Sequence, residues 1–255
     1  MNIKNLINKL LEIFNLQLIK KDISGVVNKR NLSPFQKEND KYNLYFEGLN
    51  KSENKHTDNF WKQTRRLDLI NLVEFILKKG LSGHFAEVGC WNGHSAYMIS
   101  KMIAQYKNKE IEFHIFDSFE GLSEIKIKDS NLKKLESNQI NQIRSQFVSN
   151  ENFIKNKVLI NFKFVKTYKG WIPEKFNQVE NIDFSFVHID VSLYEPTLKS
   201  LEFFFPRLVD GGIIICDDYN SQQLNGVKKA WDEFFLKNKV NFIFAPSMGG
   251  SFIVK

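Results

Sequence analysis

Cysteine is scarce in this sequence, with two among 255 residues. Cys90 and Cys216 lie far apart along the chain and outside any C-x-x-C spacing. This arrangement argues against both a disulfide framework and a zinc site. We therefore expect both thiols to pack as small apolar side chains.

Long apolar runs are also absent. No stretch approaches the roughly 20 apolar residues that a membrane-spanning helix needs, so we expect no transmembrane segment. Near the N-terminus, Lys4, Lys9 and Glu12 interrupt the apolar residues and no small-residue cleavage site follows, unlike in a signal peptide. The expected location is therefore the cytoplasm.

The sequence lacks a concentrated block of one charge, although its formal net charge is +7. The first 65 residues hold 12 Lys and Arg against 7 Asp and Glu, so most of the surplus precedes the motifs described below. This distribution argues against nucleic acid as a partner. Two explanations stay open: a lysine-rich composition, or a basic patch for anionic lipid or a phosphate-bearing substrate.

Apolar residues recur at helical spacing near the N-terminus, at Ile3, Leu6, Ile7, Leu10, Leu11 and Phe14. They predict an amphipathic helix whose apolar stripe needs a cover. We expect the cover from the same domain or from a second subunit in a homodimer, with peripheral membrane contact as the alternative. The polar stretch 22–55 then predicts an irregular arm with one short helix. Helix and arm occupy residues 1–57, and one catalytic domain is predicted over 58–255.

From residue 58 onward, helical and extended patterns alternate. A helix is predicted over Asp58–Lys79, capped by Thr57 or Asp58 and ended by Gly80. Further helices are predicted over Ser95–Gln105, Glu195–Leu208 and Gln223–Lys237. The predicted strands are Phe85–Val88, Ile111–Phe116, Asn161–Lys166, Phe184–Ile189, Ile213–Cys216, Phe242–Ala245 and Ser251–Val254.

This alternation predicts an α/β fold with a mostly parallel seven-stranded sheet and helices on both faces. No helix separates the last two strands, which predicts a hairpin with one antiparallel strand at the sheet edge. The polar helical segment 131–150 interrupts the alternation, and we expect it to cover the site.

A glycine-containing turn follows the first of these strands, in Glu87-Val88-Gly89-Cys90-Trp91-Asn92-Gly93-His94-Ser95. It lies at the carboxyl edge of the sheet, where open α/β sheets bind ligands. The spacing G-x-x-x-G differs from the dinucleotide pattern G-x-G-x-x-G, and no phosphate-binding lysine accompanies it. The turn therefore predicts a nucleoside-type ligand or, as the alternative, a tight strand-to-helix connection.

Asp117 ends the second strand, in Phe116-Asp117-Ser118-Phe119-Glu120-Gly121-Leu122. A carboxylate at this place can accept hydrogen bonds from both hydroxyls of a ribose. Because no pyrophosphate-binding pattern precedes it, a nucleoside without phosphates fits better than NAD. S-adenosylmethionine is such a ligand.

Three more carboxylates follow later strands. Asp190 comes directly after the fourth strand, and Asp217-Asp218 follow the fifth. Adjacent parallel strands would bring the three together at one edge, where they repel one another unless a cation lies among them. Hard oxygen ligands suit Mg²⁺, Mn²⁺ or Ca²⁺ better than zinc. The alternative is that these residues cap the following helix and turn.

With these motifs, the sequence resembles the TylF/MycF family of macrocin- and mycinamicin-type sugar O-methyltransferases, including relatives encoded among bacterial polysaccharide genes. The resemblance covers roughly residues 59–255. It also rests on Gly170-Trp171, Leu193-Tyr194-Glu195, Gly211-Gly212 and Asp217-Asp218-Tyr219, and Asp117-Ser-Phe-Glu-Gly-Leu122 is its most specific motif. It implies a Rossmann-like class I methyltransferase fold, with S-adenosylmethionine as the cofactor.

The resemblance also implies roles for individual residues. The methionine part of the cofactor is assigned to Glu87, Gly89 and the nearby loop residues Cys90, Trp91, Gly93 and Ser95. Asp117, with Ser118 beside it, would hold the ribose, and Gly170-Trp171 would border the adenine unless Trp171 packs in the core. Mg²⁺ would be held by Asp190, Asp217 and Asp218. The metal would then lower the pKa of the acceptor hydroxyl, and Asp190 would take the proton.

Four residues near these motifs receive other interpretations. Family members commonly carry a second acid two positions after the first, where this chain has Ser192; this implies a different substrate or a weaker metal site. We expect His188 to point to the opposite face of the sheet and to pack there. Arg65 and Arg66 would reach the carboxylate of the cofactor or, as exposed helix residues, contact solvent.

The resulting hypothesis is a metal-dependent O-methyltransferase that acts on a sugar hydroxyl in polysaccharide or natural-product biosynthesis. A methyltransferase with a nucleic acid, protein or other non-sugar acceptor is an alternative. However, Ile189-Asp190-Val191-Ser192 lacks the Pro-Pro and aromatic residues typical of base-amine methyltransferases. A non-catalytic protein that binds partners through its N-terminal helix is the third hypothesis.

Overall fold

A computed structural model describes residues 16–18, 26–28, 35, 40–106, 110–240, 242–246 and 250–255. The amphipathic helix predicted at residues 3–14 lies outside the described residues. The helices are α1 (Asp40–Lys51), α2 (Phe60–Lys79), α3 (His94–Gln105), α4 (Ser137–Ser145), α5 (Tyr194–Arg207) and α6 (Asn225–Lys237). A short helical turn, Glu151–Phe153, continues into a π-helical turn, Ile154–Val158.

The strands form two sheets. A small antiparallel pair consists of β1 (Leu16–Leu18) and β2 (Val26–Asn28). The main sheet contains β3 (His84–Val88), β4 (Phe113–Asp117), β5 (Val165–Lys169), β6 (Phe184–Ile189), β7 (Leu208–Cys216), β8 (Phe242–Phe244) and β9 (Ser251–Val254).

The main sheet has the strand order β5-β4-β3-β6-β7-β9-β8. The first five strands of this order pair in parallel, and β9 runs antiparallel to both of its neighbours. This topology confirms the predicted fold, with the refinement that the antiparallel strand lies one position inside the edge. The chain reverses its direction of winding between β3 and β6, which creates the crevice in which open α/β sheets bind ligands.

Side chains alternate between the two faces of the sheet and build a core on each side. Phe85 and Phe186 belong to the cluster that packs under α1, α2 and α3, whereas Ala86 and Val187 belong to the cluster under α5 and α6. The helices therefore cover both faces, as predicted. Among the described residues, no helix is both long and apolar enough to span a membrane.

Helix α1 brings part of the polar arm into the first of these cores. Tyr45 and Leu49 are fully buried there, and the ring of Tyr45 lies 4.9 Å from the ring of His94 on α3. Gly48 allows this close approach, because an added Cβ would lie 2.8 Å from the His94 ring. Residues 40–51 therefore share a core with the sheet, and the one short helix expected in the arm is confirmed.

Several predicted boundaries were wrong. The strand predicted from Ile213 begins at Leu208, and the strand predicted from Ile111 begins at Phe113. Helix α2 begins after Asn59, whose side chain accepts a hydrogen bond from the N–H of Lys62 at 2.9 Å. The two predicted caps make other contacts. Thr57 Oγ1 donates to Asn54 O and accepts from Lys62 Nζ, and the Asp58 carboxylate accepts from Tyr45 and from the Gln63 side chain. The predicted strand at 161–166 forms only from residue 165 onward, because a turn from residue 159 to residue 165 precedes it.

Candidate functional site

A cavity of about 540 Å³ lies at the carboxyl edge of the sheet, at the crevice between β3 and β6. Its volume falls in the range that is typical of small-molecule sites. Ten of the predicted site residues line it: Gly89, Cys90, Trp91, Ser95, Asp117, Ser118, Trp171, Asp190, Asp217 and Asp218. Glu87, Gly93 and Gly170 do not line it.

The turn after β3 requires both of its glycines for its own geometry. Gly89 has a φ of +86°, and a Cβ there would overlap the carbonyl oxygen of Asp190. Gly93 has a φ of +83° and packs against Ile154 and Val158, away from the cavity. The loop is thus a tight strand-to-helix connection, and its residues 89–91 also border the cavity.

Asp117 ties this turn to the loop after β4. Its Oδ2 accepts from the N–H groups of Cys90 and Trp91 at 2.7 and 3.0 Å, and its Oδ1 accepts from Phe119 N at 2.7 Å. Burial raises the pKa of Asp117, and the three N–H groups oppose that shift. A carboxylate offers about four lone-pair positions, so Asp117 shapes the loop and keeps capacity for one further donor.

Glu87 and His188 form a fully buried pair beneath the cavity. His188 Nδ1 lies 2.8 Å from Glu87 Oε1, and neighbouring strands hold the two residues in register. The other oxygen, Glu87 Oε2, has no hydrogen-bond partner within the described part of the chain. Glu87 therefore supports the floor of the site with one oxygen and leaves the second unsatisfied.

The expectation that His188 points to the opposite face was wrong. Residues two apart on a strand share a face, so His188 projects to the same side as Asp190. Its Nε2 lies 3.8 Å from Asp217 Oδ1. Burial lowers the pKa of His188, but the carboxylates of Asp217 and Glu87 outweigh that effect and raise it to about 9.

The three aspartates meet at the strand ends, where two arginines of α2 contact them. Arg66 donates to Asp217 Oδ1 at 2.9 Å and to Asp190 Oδ2 at 3.2 Å. The guanidinium of Arg65 lies 3.3 Å from Asp217 and 3.4 Å from Asp218. Guanidinium groups therefore supply positive charge where we had expected it from a metal alone.

These contacts shift the pKa values of the adjacent residues Asp217 and Asp218 in opposite directions. Burial raises the pKa of Asp217, but Arg65 and Arg66 outweigh it and hold that pKa well below its usual range. Burial and the charges of Asp190 and Asp217 raise the pKa of Asp218 to about 7. Ser192, in a left-handed conformation with φ of +60°, donates its hydroxyl to Asp218 Oδ2 at 2.9 Å.

The alternative role as a cap is not observed for Asp190. The first N–H of α5, that of Tyr194, donates to Asp129 Oδ1 at 2.8 Å. One ligand atom each from His188, Asp190 and Asp217 lies within 4.8 Å of the others. Asp190 and Asp217 therefore have oxygens close enough to share a cation. His188 lies beside them, but its raised pKa keeps it protonated near neutral pH and unsuited as a metal ligand.

Sequence reasoning missed the wall of the cavity that lies on either side of the predicted start of the domain. Asn54, His56, Thr57, Asn59 and Lys62 line the cavity from the α1–α2 connection and the first turn of α2. No signal marked the connection. The burial of Arg66 did have a signal in the sequence, because Arg66 lies in helical register with the core positions Leu69, Ile70 and Val73. In the structure only 7% of its surface is exposed.

The segment that interrupts the alternation covers the site, as predicted. Gln146 and Phe147 line the cavity just after α4, and the Phe147 ring lies 5.8 Å from the ring of Trp91. Trp171 borders the cavity too, and its backbone N–H donates to Glu174 Oε2 at 3.2 Å. Loops after β3, β4, β5, β6 and β7 thus all contribute to one cavity.

Comparison with known proteins gives a family match. The model of the macrocin O-methyltransferase (TylF) family matches residues 33–245. This range includes α1 and the α1–α2 connection, which lie outside the range of the resemblance in the sequence motifs.

Curated relatives are sugar-pathway enzymes. The chain is 28% identical over 160 residues to 8-demethyl-8-(2,3-dimethoxy-alpha-L-rhamnosyl)-tetracenomycin-C 4'-O-methyltransferase of Streptomyces olivaceus, covering 61% of this chain and 60% of the relative. It is 25% identical over 157 residues to mycinamicin III 3''-O-methyltransferase of Micromonospora griseorubida, covering 60% of this chain and 61% of the relative. The aligned region thus spans less than two thirds of either relative.

Solved structures share the fold. The O-methyltransferase NovP superimposes with a TM-score of 0.62 at 22% identity, covering 75% of this chain and 79% of that chain. A calicheamicin methyltransferase gives a TM-score of 0.60 at 14% identity, covering 91% of this chain and 98% of that chain. These similarities confirm the class I methyltransferase architecture.

Proposed function

We propose, since this chain belongs to the TylF (macrocin O-methyltransferase) family, that it transfers a methyl group from S-adenosylmethionine to a hydroxyl group of a sugar. One observation carries the proposal. A single cavity is lined on one side by the turn after β3 with Asp117, and on the other by three strand-end aspartates. A nucleoside-type cofactor and a hydroxyl acceptor would therefore meet inside it.

The cofactor side offers unsatisfied groups that fit S-adenosylmethionine. Asp117 keeps one acceptor position, and the Trp91 indole N–H has no hydrogen-bond partner among the described side chains. Glu87 Oε2 is likewise unpartnered, but Glu87 is fully buried beneath the turn and does not line the cavity, so we assign it to the support of the turn. We assign cofactor binding to Asp117 and Trp91 together with Gly89, Cys90, Ser95, Ser118 and Trp171. When bound, the cofactor supplies an electrophilic methyl group.

A divalent cation such as Mg²⁺ would suit the hard carboxylate oxygens of Asp190, Asp217 and Asp218. Oxygens of Asp190 and Asp217 lie within 4.8 Å of each other, and Asp218 follows Asp217 in the chain and contributes a third carboxylate to the cavity lining. A cation bound there would polarise the acceptor hydroxyl. Arg66 and Arg65 would hold the carboxylates in place and offset their repulsion, and the Ser192 hydroxyl would orient Asp218. We infer that metal affinity is moderate, because the guanidinium groups contact the same oxygens.

The acceptor proposal draws on the polar wall formed by the α1–α2 connection. Hydroxyl, amide and imidazole groups of Asn54, His56, Thr57 and Asn59 line the cavity there, and such groups suit a sugar with several hydroxyls. The two curated relatives described above are named as O-methyltransferases of a rhamnosyl-tetracenomycin and of mycinamicin III. We propose a 6-deoxyhexose acceptor in a glycan or natural-product pathway of the cytoplasm.

The first experiment is calorimetric titration of the protein with S-adenosylhomocysteine, with and without Mg²⁺. Micromolar binding is expected, and Asp117→Ala is expected to weaken it about 10–100-fold, since the turn and its ligand both lose the carboxylate. Turnover is then assayed with TDP-rhamnose and methyl α-L-rhamnopyranoside, by mass increase of one methylene. Chelation of divalent metal is expected to lower the rate.

The outcomes separate the hypotheses. Binding of S-adenosylhomocysteine without turnover of any sugar would favour a different acceptor or the partner-binding protein. No binding under either condition would overturn the proposed function. Size-exclusion chromatography tests the further expectation of a homodimer, which the apolar stripe at residues 3–14 motivates.

A further inference from the structure

Lys62 is a buried lysine that lines the cavity. It lies in the first turn of α2, and 9% of its surface is exposed. Lysine is rarely buried unless a carboxylate pairs with it. Among the ion pairs of the described residues none involves Lys62, so its position calls for another explanation.

The hydrogen bonds of Thr57 show that Lys62 is the donor in the bond between the two residues. The Thr57 hydroxyl donates to Asn54 O at 2.8 Å, so its proton is already engaged. Thr57 Oγ1 must therefore accept from Lys62 Nζ. A neutral amine that donates one N–H to Thr57 keeps its lone pair available for the cavity.

The charges around the amine permit its neutral form. Burial and the positive charge of Arg66 lower the pKa of Lys62 to about 8, although Asp190, Asp217 and Asp58 oppose the shift. His94, which faces it from α3, is itself held neutral, because burial and the nearby Arg66 and Lys62 lower its pKa. An amine of this kind is partly unprotonated near neutral pH, as a general base requires.

Each of the three aspartates already accepts a hydrogen bond from a neighbouring side chain. Asp190 Oδ2 and Asp217 Oδ1 accept from Arg66, and Asp218 Oδ2 accepts from Ser192. Arg65 and Arg66 also hold the pKa of Asp217 well below its usual range, which makes it a poor proton acceptor. The raised pKa of Asp218 would suit a base, but a cation bound to the three aspartates, as proposed above, would occupy their remaining lone pairs. We therefore look for the base on the opposite wall, where Lys62 would not share the cation.

We propose that the neutral amine of Lys62 takes the proton of the acceptor hydroxyl during methyl transfer. The inference rests on the proposed function. The acceptor O–H bond breaks and its proton passes to Nζ, while an oxygen lone pair forms the new O–CH₃ bond. The S–CH₃ bond breaks with its electron pair left on sulfur, which yields neutral S-adenosylhomocysteine. Lys62 ends the step as an ammonium and releases the proton to water.

The first test needs no acceptor. The full chain is labelled with ¹³C at lysine Cε, and the signal that is missing from Lys62→Arg is titrated by NMR. We expect a midpoint of about 8. A midpoint above about 10, the value of an ordinary lysine, would overturn the proposal.

The second test measures kcat and KM for methylation of TDP-rhamnose across pH. The wild-type kcat is expected to rise with pH through about 8 and then level off. Lys62→Ala and Lys62→Arg are both expected to lose about 10²–10⁴-fold in kcat with little change in KM, because neither offers a neutral amine. Ethylamine should restore part of the rate of Lys62→Ala but not that of Lys62→Arg.

The controls separate this inference from the function itself. Lys78→Arg, on the exposed face of the same helix, is expected to keep wild-type rates. Both Lys62 variants should bind S-adenosylhomocysteine as the wild type does. A Lys62→Arg variant with wild-type kcat would show that only the positive charge at this position matters, and it would overturn the proposal. If the wild type methylates neither sugar, the sugar acceptor fails, whereas the NMR midpoint still tests whether Lys62 has the lowered pKa that the proposal requires.

Discussion

The two sides of the cavity are stabilised in different ways. On the loop side, formed by residues 89–91 and 117–119, one carboxylate collects three backbone N–H groups from two neighbouring loops. On the carboxylate side, formed by Asp190, Asp217 and Asp218, the partners are guanidinium groups from a helix more than a hundred residues earlier in the chain. Backbone N–H groups donate whatever side chains they carry, so the loop side tolerates many substitutions. Buried charged side chains depend on specific partners, so the carboxylate side tolerates few substitutions.

The largest effect is expected from breaking the carboxylate side at Arg66. Arg66→Ala leaves Asp217 and Asp190 without their buried partner, and such a loss typically costs about 3–5 kcal/mol of unfolding free energy. Chemical denaturation measures it. Arg65→Ala should cost less, since the Arg65 side chain is 28% exposed. Equal losses in the two variants would mean that Arg66 is not the central partner.

The junction between the two sides is expected to be the next most sensitive place. Gly89→Ala would strain a positive φ and press a Cβ into the carbonyl of Asp190, for a loss of about 3 kcal/mol. Gly250→Ala is the matched control. It shares a positive φ, but its nearest neighbour is 3.3 Å away, so strain of about 1–2 kcal/mol is expected. A similar loss in both variants would show that the contact with Asp190 does not matter.

Lys62, on the wall opposite the aspartates, should make the free energy of unfolding depend on pH. The folded protein lowers the pKa of Lys62 from 10.5 to about 8, so between these values the unfolded chain binds more protons. The stability of the wild type should therefore rise with pH in this window relative to Lys62→Met. Urea denaturation of both proteins at pH 7, 9 and 10.5 gives the difference. A constant difference would contradict the lowered pKa.

The smallest effect is expected at Ser192, within the carboxylate side. Ser192→Ala removes the hydrogen bond to Asp218 and should cost about 1 kcal/mol. Ser192→Gly removes the same bond but relieves the positive φ of this residue, which is worth about 1–2 kcal/mol. The glycine variant should therefore be about as stable as the wild type in thermal unfolding. A glycine variant less stable than the alanine variant would mean that the left-handed backbone carries no strain.

Much of the fold was predictable because it depends on local patterns. Strands Phe184–Ile189 and Ser251–Val254 were predicted at their observed bounds, since both are short apolar runs with clear ends. The start of α2 and of β5 was less predictable. Three successive residues, Thr57, Asp58 and Asn59, could each cap α2, and tertiary contacts of Thr57 and Asp58 leave the role to Asn59. The apolar residues before Val165 form backbone turns instead of a strand.

The site was predictable to the extent that strand ends define it. Asp117, Asp190, Asp217 and Asp218 follow parallel strands, so their meeting at one edge follows from the alternation. Partners from elsewhere were not predictable in this way. The side of His188 was misjudged although strand periodicity specifies it, and the contacts of Arg66 depend on how α2 lies across the strand ends.

The sequence by itself determined the order of strands and helices, the family, and the carboxylates at the sheet edge, because these follow from periodicity and from short motifs. Only the tertiary structure decided how those charges are compensated and which groups stay free. The buried partners of Asp217 come from α2 and β6, and Lys62 is left without an ion pair in the described region. Burial makes such pairings energetically important, and burial depends on the packing of segments that are distant in the chain.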